Sequence, residues 1–298
     1  MKGKNMSVER RRSVLIILIV LLVASLITLA GSDGGIQIDG VALFMVSAIL
    51  IFLLQWIAFI PAYILQTERF YDLCGSITYL AVIGFAILLV DELDTRSVVL
   101  ASLVSLWAIR LGSFLFIRIC QDGSDSRFDE IKADFGRFLS AWTLQGLWVL
   151  VTIGCALAAI TGLEKAPFDW MAVAGLLLWS LGFLIETIAD YQKRAFRSKV
   201  KDNHNFIESG LWAYSRHPNY FGEILLWIGI AIIAYPALYG WQLATLISPL
   251  FVIFLLTKVS GIPLLEAKAN GRWHDNQAYQ AYKKRTPILI PKLFPSAK

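Results

Sequence analysis

The apolar stretch LSAWTLQGLWVLVTIGCALAAIT, residues 139–161, contains no charged side chain and decides the class of fold. A helix of about 20 such residues is long enough to cross the hydrocarbon core of a bilayer. Comparable runs recur along the 298 residues, of which 57% are hydrophobic and 16% are charged, and the mean hydropathy is +0.63. This composition excludes an ordinary soluble protein and predicts an all-α, polytopic transmembrane helix bundle.

Hydropathy windows of about 19 residues predict eight spans. They cover residues 13–30, 41–65, 73–90, 97–119, 139–161, 168–189, 220–235 and 241–261. The first run exceeds the apolar part of a usual signal peptide, and no A-x-A-like cleavage site follows it before Gly31, so we expect a retained helix. We expect a single integral membrane domain over residues 1–298, because no loop is long enough to fold alone.

The basic residues are distributed unevenly between the loops. Of 27 Lys and Arg residues, 24 fall in the two termini and in every second loop, whereas the alternate loops hold only Arg96 and Lys165. Cytoplasmic loops of membrane proteins carry the excess of Lys and Arg, so both termini are expected in the cytoplasm. The net charge of +5 is then explained by orientation, and we expect no nucleic-acid partner.

Cysteine and histidine positions argue against a structural metal site. Cys74, Cys120 and Cys155 are isolated, and the three histidines, at positions 204, 217 and 274, are too scattered for a compact set of ligands. We therefore expect neither a metal nor a disulfide framework.

The sixth span continues into a stripe of charged residues. These residues recur at helical spacing and share one helix face: Glu186, Asp190, Lys193, Arg194 and Arg197. One interpretation is a row of ion pairs at the cytoplasmic end of the helix. The other is a dinucleotide site, because carboxylates accept hydrogen bonds from ribose hydroxyls and arginines hold phosphates.

A second polar segment, GLWAYSRHPNYFGE at residues 210–223, leads into the seventh span. Pro218 suits the first turn of a helix, and Asn219 and Glu223 then lie one turn apart on one face. Arg216 and His217 stand just outside, where helix N–H groups attract anions. Helix capping explains Pro218 and Asn219 but leaves an acid one turn into an apolar span unexplained, so we favour a functional site.

Two places near the third and fourth spans hold further polar residues. Asp72 begins a helix face that continues with Ser76 and Tyr79, and it is explained either as an N-cap or as a catalytic acid. Tyr71 is explained as an interfacial aromatic residue. Arg110 lies within a span, where it either snorkels to the headgroups or meets a buried acid. The basic tail either lies on anionic lipid or closes over a cofactor's phosphates.

The run from Glu186 to Trp227 resembles the steroid 5-alpha-reductase family, and more closely the bacterial DUF1295 membrane proteins that carry that family's C-terminal domain. The resemblance covers roughly residues 40–298 in its pattern of spans. It implies an all-helical bundle that binds NADPH from the cytoplasm and reduces a carbon–carbon double bond conjugated to a ketone. The implied substrate is hydrophobic, lipid- or steroid-like, and the implied location is a bacterial inner membrane with membrane lipids around the bundle. No feature specifies an oligomeric state.

The resemblance also implies roles for particular residues. Residues 13–120 would hold the substrate and catalytic part, and residues 139–298 the cofactor. The implied cofactor-binding residues are Glu186, Asp190, Arg197, Tyr214, Arg216, Asn219 and Glu223. The implied catalytic donors, which would hydrogen-bond the substrate's carbonyl oxygen, are Tyr71, Asp72 and Tyr79. Trp107 stands where the steroid reductases have their catalytic tyrosine.

Two other classes of protein fit parts of the sequence. A membrane methyltransferase of the isoprenylcysteine carboxyl type, which uses S-adenosylmethionine, also has Arg-His-Pro-x-Tyr before a glycine. Glu223 directly after Gly222, and a tail that reads Leu264-Leu265-Glu266, argue against it. A lipid-binding protein without catalytic activity would explain the spans but would leave the stacked acids and bases without a role.

Overall fold

The computed structural model describes residues 2–199 and 205–294, and its helices account for most of them. The helices are α1 (Lys2–Gly31), α2 (Leu43–Ile64), α3 (Tyr71–Leu89), α4 (Thr95–Asp122), α5 (Phe135–Thr161), α6 (Trp170–Lys199), α7 (Pro218–Ala234), α8 (Ile247–Phe254), α9 (Ile262–Trp273) and α10 (Gln277–Arg285). Within the described ranges, eight segments are long and apolar enough to cross a membrane. The predicted number of spans and the all-α class are therefore confirmed.

The last of these segments, Gly240–Trp273, contains the eighth predicted span, residues 241–261, which is not one continuous α-helix. It consists of a 3₁₀ turn at Gly240–Leu246, then α8, a π turn at Leu255–Val259 and α9. Pro249 and Pro263 explain two of the helix starts, because a residue without an N–H fits only the first turn of a helix. Helix α6, in contrast, runs ten residues beyond its predicted end, since the charged stripe keeps the helical spacing.

The chain divides into two compact units. Unit 1 comprises Met1–Asp169 and Ala234–Ser248, and unit 2 comprises Trp170–Ile233 and Pro249–Lys298. Helix α5 forms the centre of unit 1, because 89% of its most apolar window is buried. One of its buried polar groups finds a partner on α2: Thr143 accepts a hydrogen bond from the Trp56 indole, with the two atoms 3.2 Å apart.

The connection between α1 and α2 contains a small hairpin. Strands β1 (Gln37–Ile38) and β2 (Val41–Ala42) pair in antiparallel register. The two turn residues, Asp39 and Gly40, have φ values of 50° and 80°, as the tight turn of a two-residue hairpin requires. The Ile36 N–H donates to the Thr161 carbonyl oxygen over 2.8 Å, which joins this connection to the end of α5.

In unit 2, helices α6 and α7 approach each other at two pairs of glycines. A Cβ on Gly182 would lie 2.5 Å from the Gly222 oxygen, and one on Gly175 would lie 2.7 Å from the Gly229 oxygen. The helices therefore run antiparallel, and no side chain separates their backbones at these points. Small residues that permit such close approach are a common basis of helix association in membranes.

Candidate functional site

The charged stripe of α6 lies partly inside unit 2 and partly at its surface. Glu186 is 2% exposed and Asp190 is 5% exposed, whereas Arg197 is exposed. The Asn219 amide at the start of α7 donates to the Asp190 carboxylate over 3.2 Å. The two polar faces that the sequence singled out thus meet through this hydrogen bond, which the close approach of α6 and α7 permits.

The segment before α7 is held by hydrogen bonds to an irregular stretch of the tail. The Arg216 N–H donates to the Pro287 oxygen over 2.9 Å, and the Lys292 N–H donates to the Tyr214 oxygen over 3.1 Å. The Ser215 hydroxyl donates to the Leu289 oxygen over 2.7 Å. We call residues 286–292 the strap. These backbone contacts fix Arg216 at the mouth of α7.

A 3₁₀ turn, Gly210–Ala213, forms another wall of the site. The indole of Trp212 donates to the Ala189 oxygen over 3.1 Å, and the Tyr282 hydroxyl donates to the Trp212 oxygen over 2.7 Å. The Lys193 ammonium lies 4.6 Å from the centre of the Trp212 ring, within the range of a cation–π contact. Trp212 thereby links α6, the 3₁₀ turn and α10.

These elements enclose a cleft of about 180 Å³ in unit 2. Its aromatic walls are formed by Phe206, Trp212, Trp273, Tyr279 and Tyr282. Its cationic side chains are Lys193, Arg197, Arg216, Lys268 and Arg272. Among the described residues that line it, Glu266 is the single acid. Flat aromatic faces beside an excess of positive charge suit a ligand that carries an aromatic ring and phosphates.

Glu266 of α9 contacts two cleft residues at once. Its carboxylate lies 2.5 Å from Nη1 of Arg216 and 2.9 Å from Nε2 of His217. Burial lowers the pKa of His217 below its ordinary value, and the hydrogen bond to Glu266 only partly offsets this effect. The imidazole is therefore neutral at pH 7, and its Nε2–H donates to the carboxylate.

Two other polar atoms of this group are buried without a partner. Within the described part of the chain, neither Arg216 Nε nor His217 Nδ1 has a hydrogen-bond partner. Such unpaired groups cost free energy in a protein interior. The Arg216 guanidinium and the His217 ring thus retain capacity for further hydrogen bonds beside the cleft.

The structure separates the predicted cofactor residues into three sets. Arg197 and Arg216 line the cleft. Glu186, Asp190, Asn219 and Glu223 lie on the facing helices α6 and α7 and are not among the lining residues. Tyr214 accepts a hydrogen bond from the strap through its backbone oxygen.

Sequence reasoning missed several lining residues. Trp212, Glu266, Trp273, Tyr279 and Tyr282 were not among the predicted cofactor residues. The sequence did contain a pattern that indicates two of them as site residues. Tyr279 and Tyr282 are three residues apart, which places them on one helix face, and they precede the Lys283–Arg285 basic run. Helix α10 presents both of these tyrosines as buried residues.

The predicted catalytic residues lie in unit 1. The Tyr71 hydroxyl donates to the Ala141 oxygen over 2.9 Å, so its proton already has an acceptor. Asp72 lies 3.3 Å from the Arg118 guanidinium and 3.9 Å from that of Arg127. Tyr79 packs edge-on against Trp107 with ring centres 5.1 Å apart.

Asp72, Tyr79 and Trp107 line a small cavity of about 20 Å³, large enough for one water molecule or one hydroxyl group. Tyr71 is not among its lining residues. Gln145 of α5 also lines this cavity, and the sequence did not single it out. Its amide N–H donates to the Tyr71 oxygen over 3.1 Å, while its Oε1 has no partner among the described residues.

The loop between α4 and α5 is anchored by Glu68. The Asp125 N–H donates to this carboxylate over 2.9 Å, and the Lys132 ammonium lies 3.1 Å from it. Burial alone would raise the pKa of Glu68, but the Asp125 N–H and Lys132 outweigh it and leave the pKa below its ordinary value. The acids and bases of this loop thus satisfy one another.

Possible metal ligands are dispersed over residues 2–199 and 205–294. No group of three or more His, Cys, Asp and Glu side chains there could hold a metal ion. His204 lies outside the described residues.

Comparison with known proteins connects this architecture to a family. The family model described as "Protein of unknown function (DUF1295)" matches residues 58–286. The 3-oxo-5-alpha-steroid 4-dehydrogenase 1 of Macaca fascicularis is 32% identical over 130 residues, or 42% of this chain and 44% of that protein. Its counterpart in Rattus norvegicus is 28% identical over 127 residues, covering 41% and 44%.

A plant protein is similar to the same extent. Steroid 5-alpha-reductase DET2 of Gossypium hirsutum is 27% identical over 127 residues, or 43% of this chain and 44% of that protein. The chain thus spans less than half the length of these curated relatives in the matched regions. No solved structure matches the chain.

Proposed function

The chain belongs to the DUF1295 family, and we propose that it is an integral membrane NADPH-dependent oxidoreductase. The proposed reaction reduces a carbon–carbon double bond conjugated to a ketone in a hydrophobic, lipid- or steroid-like substrate. The observation that carries the proposal is the cleft of unit 2, whose described lining residues include five cationic side chains, five aromatic side chains and one acid. The names of the curated relatives support the reaction class.

The residues of the cleft fit the phosphates and the adenine of a dinucleotide. In the proposal, Lys193, Arg197 and Arg216 hold phosphates, and the ring of Trp212 or Tyr282 packs against the adenine. The cleft of about 180 Å³ is smaller than the roughly 300–1,000 Å³ typical of complete ligand sites. We therefore assign it to the adenosine and phosphate half of the cofactor.

Polar groups of α6 and α7 complete the proposed cofactor site. The carboxylates of Glu186, Asp190 and Glu223 would accept hydrogen bonds from hydroxyl or amide groups. Asn219 Oδ1 is buried and has no partner in the described residues, so it offers one further acceptor. Tyr214 would act through the backbone that positions Arg216.

Bound NADPH supplies the hydride for the β-carbon of the substrate. The chain's own contribution is to stabilise the negative charge that develops on the carbonyl oxygen. Of the three predicted donors, we favour Tyr79, since it lines the cavity of unit 1 and carries a hydroxyl proton. Asp72 lines the same cavity, but it pairs with Arg118 as a carboxylate, which accepts hydrogen bonds and does not donate them. Tyr71 is a weaker candidate because its hydroxyl already donates to the Ala141 oxygen.

We further propose that both termini and the cleft of unit 2 face the cytoplasm, in a bacterial inner membrane. The division of 24 against two basic residues between alternate loops supports this orientation. The division into a substrate-binding front part, residues 13–120, and a cofactor-binding part, residues 139–298, belongs to the same proposal.

A calorimetric titration of the detergent-solubilised protein tests the proposal. NADPH should bind at least tenfold more tightly than NADH, because one charge-assisted contact to the 2′-phosphate contributes about 1.5–3 kcal/mol. The preference should shrink as salt is added. Binding of S-adenosylmethionine with no response to either dinucleotide would contradict the reductase and favour a methyltransferase. No binding of any of the three would favour a lipid-binding protein without catalytic activity.

A further inference from the structure

We propose that Glu266 is an internal anion that occupies Arg216 and His217 in the ligand-free protein and competes there with a phosphate of the incoming nucleotide. The proposal extends the function proposed above, since it takes the competing ligand to be a nucleotide. It concerns the affinity and release of that ligand, which the assignment of the cleft alone does not address.

The first observation is the geometry of the contact. One carboxylate lies 2.5 Å from Arg216 Nη1 and 2.9 Å from His217 Nε2, and all three side chains line the cleft. The side chains of Arg216, His217 and Glu266 are 13%, 6% and 17% exposed. A carboxylate that accepts two hydrogen bonds in this way makes the contacts that a phosphate oxygen pair would make.

The second observation is the balance of charge. Four more cations line the cleft, and Glu266 is the one acid among its described lining residues, so this carboxylate does not neutralise them. A phosphate that replaces Glu266 at Arg216 leaves that guanidinium paired, which avoids the cost of an isolated buried charge. Lys283 also attracts the Glu266 carboxylate electrostatically in its present position.

The third observation is where Glu266 stands in the fold. It lies in α9, which begins directly after the π turn at Leu255–Val259 and after Gly261, whose ψ of −99° interrupts the helix. Helix breaks of this kind frequently mark functional sites and hinges. Helix α9 is thus joined to α8 through irregular backbone, while the strap holds the backbone of Arg216.

The consequence is a lower affinity for phosphate-bearing ligands than the cations alone would give. Every such ligand must displace Glu266, whereas a ligand without phosphate leaves the carboxylate in place. For a redox cofactor that must leave after each turnover, an internal competitor shortens residence in the site.

The test compares Glu266→Gln with wild type in detergent, using adenosine 2′,5′-bisphosphate and adenosine as probes. Glutamine keeps the size of the side chain but carries no charge, so it competes weakly with phosphate. The bisphosphate should bind at least tenfold more tightly to the variant, while the affinity for adenosine should not change. A role of Glu266 in merely orienting Arg216 predicts the opposite, weaker binding of the bisphosphate.

Glu208→Gln is the matched control, because Glu208 also pairs with an arginine of unit 2, Arg285, and does not line the cleft. It should leave the affinity for both probes unchanged. Glu266→Asp, which retains the charge on a shorter side chain, should give an intermediate affinity and remains informative where the glutamine variant does not fold.

Unchanged or weaker binding of the bisphosphate to Glu266→Gln overturns the inference, as does an equal gain for adenosine. Failure of every variant and of wild type to bind either probe overturns it as well. A tighter complex with the bisphosphate together with no binding of NADPH would support the internal anion and contradict the proposed reductase.

Discussion

Asp72 of unit 1 and Glu266 of unit 2 are both acids of apolar segments, and each contacts two cationic or potentially cationic side chains. Around Asp72, the two arginines are balanced by nearby acids, since Arg127 also lies 2.6 Å from Asp125. Around Glu266, four further cations line the cleft without a second acid among the described lining residues. The cavity that Asp72 lines has a volume of about 20 Å³, whereas the cleft that Glu266 lines has a volume of about 180 Å³.

This difference separates two uses of charge in one membrane protein. Paired charges at the loops of unit 1 satisfy one another and hold the loop between α4 and α5 in place. The excess of positive charge among the described lining residues of the cleft in unit 2 has an energetic cost that an anionic ligand would relieve. An excess of one sign inside a concave site is therefore the stronger indication of a ligand.

The largest expected effect is on nucleotide affinity. Arg216→Gln should weaken NADPH binding by about 1.5–3 kcal/mol, roughly ten- to 150-fold, because it removes a charge-assisted contact to phosphate. Arg118→Gln removes an arginine that pairs with Asp72 in unit 1, and it should leave the NADPH affinity nearly unchanged. Calorimetry measures the NADPH affinity of both variants. Equal losses of affinity would contradict the proposed difference between the two units.

A smaller effect is expected on stability, from the glycine contact of unit 2. Gly222→Ala should lower the free energy of unfolding by about 1–3 kcal/mol, because the new Cβ would lie 2.6 Å from backbone atoms of Gly182 and Glu186. Gly84→Ala in α3 is the matched change in unit 1, where no atom lies within 4 Å of the added Cβ. It should be neutral or slightly stabilising. Thermal unfolding in detergent measures both, and a stable Gly222→Ala protein would contradict the close approach.

The smallest expected effect is a difference in acid sensitivity. The pKa values of His217 and Glu68 are both lowered by folding, so each group stabilises the protein above its ordinary pKa and loses that contribution as the pH falls. The loss should begin below about pH 6.5 for His217 and below about pH 4.5 for Glu68. Around His217 the charged groups are Glu266, Arg216 and Lys193, and the ring of Tyr220 stacks on it.

Hydrogen exchange at a series of pH values measures this difference segment by segment. Residues 214–217 should lose protection at a higher pH than residues 123–134. Glu68→Gln and His217→Gln should each abolish the pH dependence in its own segment only. Loss of protection in both segments at one pH would show a single cooperative transition instead.

Much of the fold could be predicted because apolar length dominates in a membrane protein. The eight spans follow from runs such as residues 139–161, and the family resemblance carried by residues 186–227 is confirmed by the match to the family model. The interruption of the eighth span was missed, although Pro249 lies in the first turn of α8 within that span. Hydropathy averages over a window and does not register a lost N–H donor.

The candidate site could be predicted only where its residues share a helix face. Lys193 and Arg197 recur at helical spacing on α6, and Asn219 and Glu223 on α7, so local periodicity revealed both pairs. Glu266 meets Arg216 across 50 residues of sequence, and no local pattern encodes such a contact. The predicted roles of these residues in cofactor binding and catalysis stay predictions.

The strap has a consequence for the order in which the protein is made. Arg216 and Tyr214 leave the ribosome well before Pro287 and Lys292, their backbone partners, which lie more than 70 residues later in the chain. At a synthesis rate of about 5–20 residues per second, that interval lasts roughly 4–15 s. During this time α6 and α7 are already available for insertion, while the walls contributed by α9 and α10 do not yet exist. The cleft is therefore completed late in synthesis, and a nascent chain lacks the walls that α9 and α10 contribute to it.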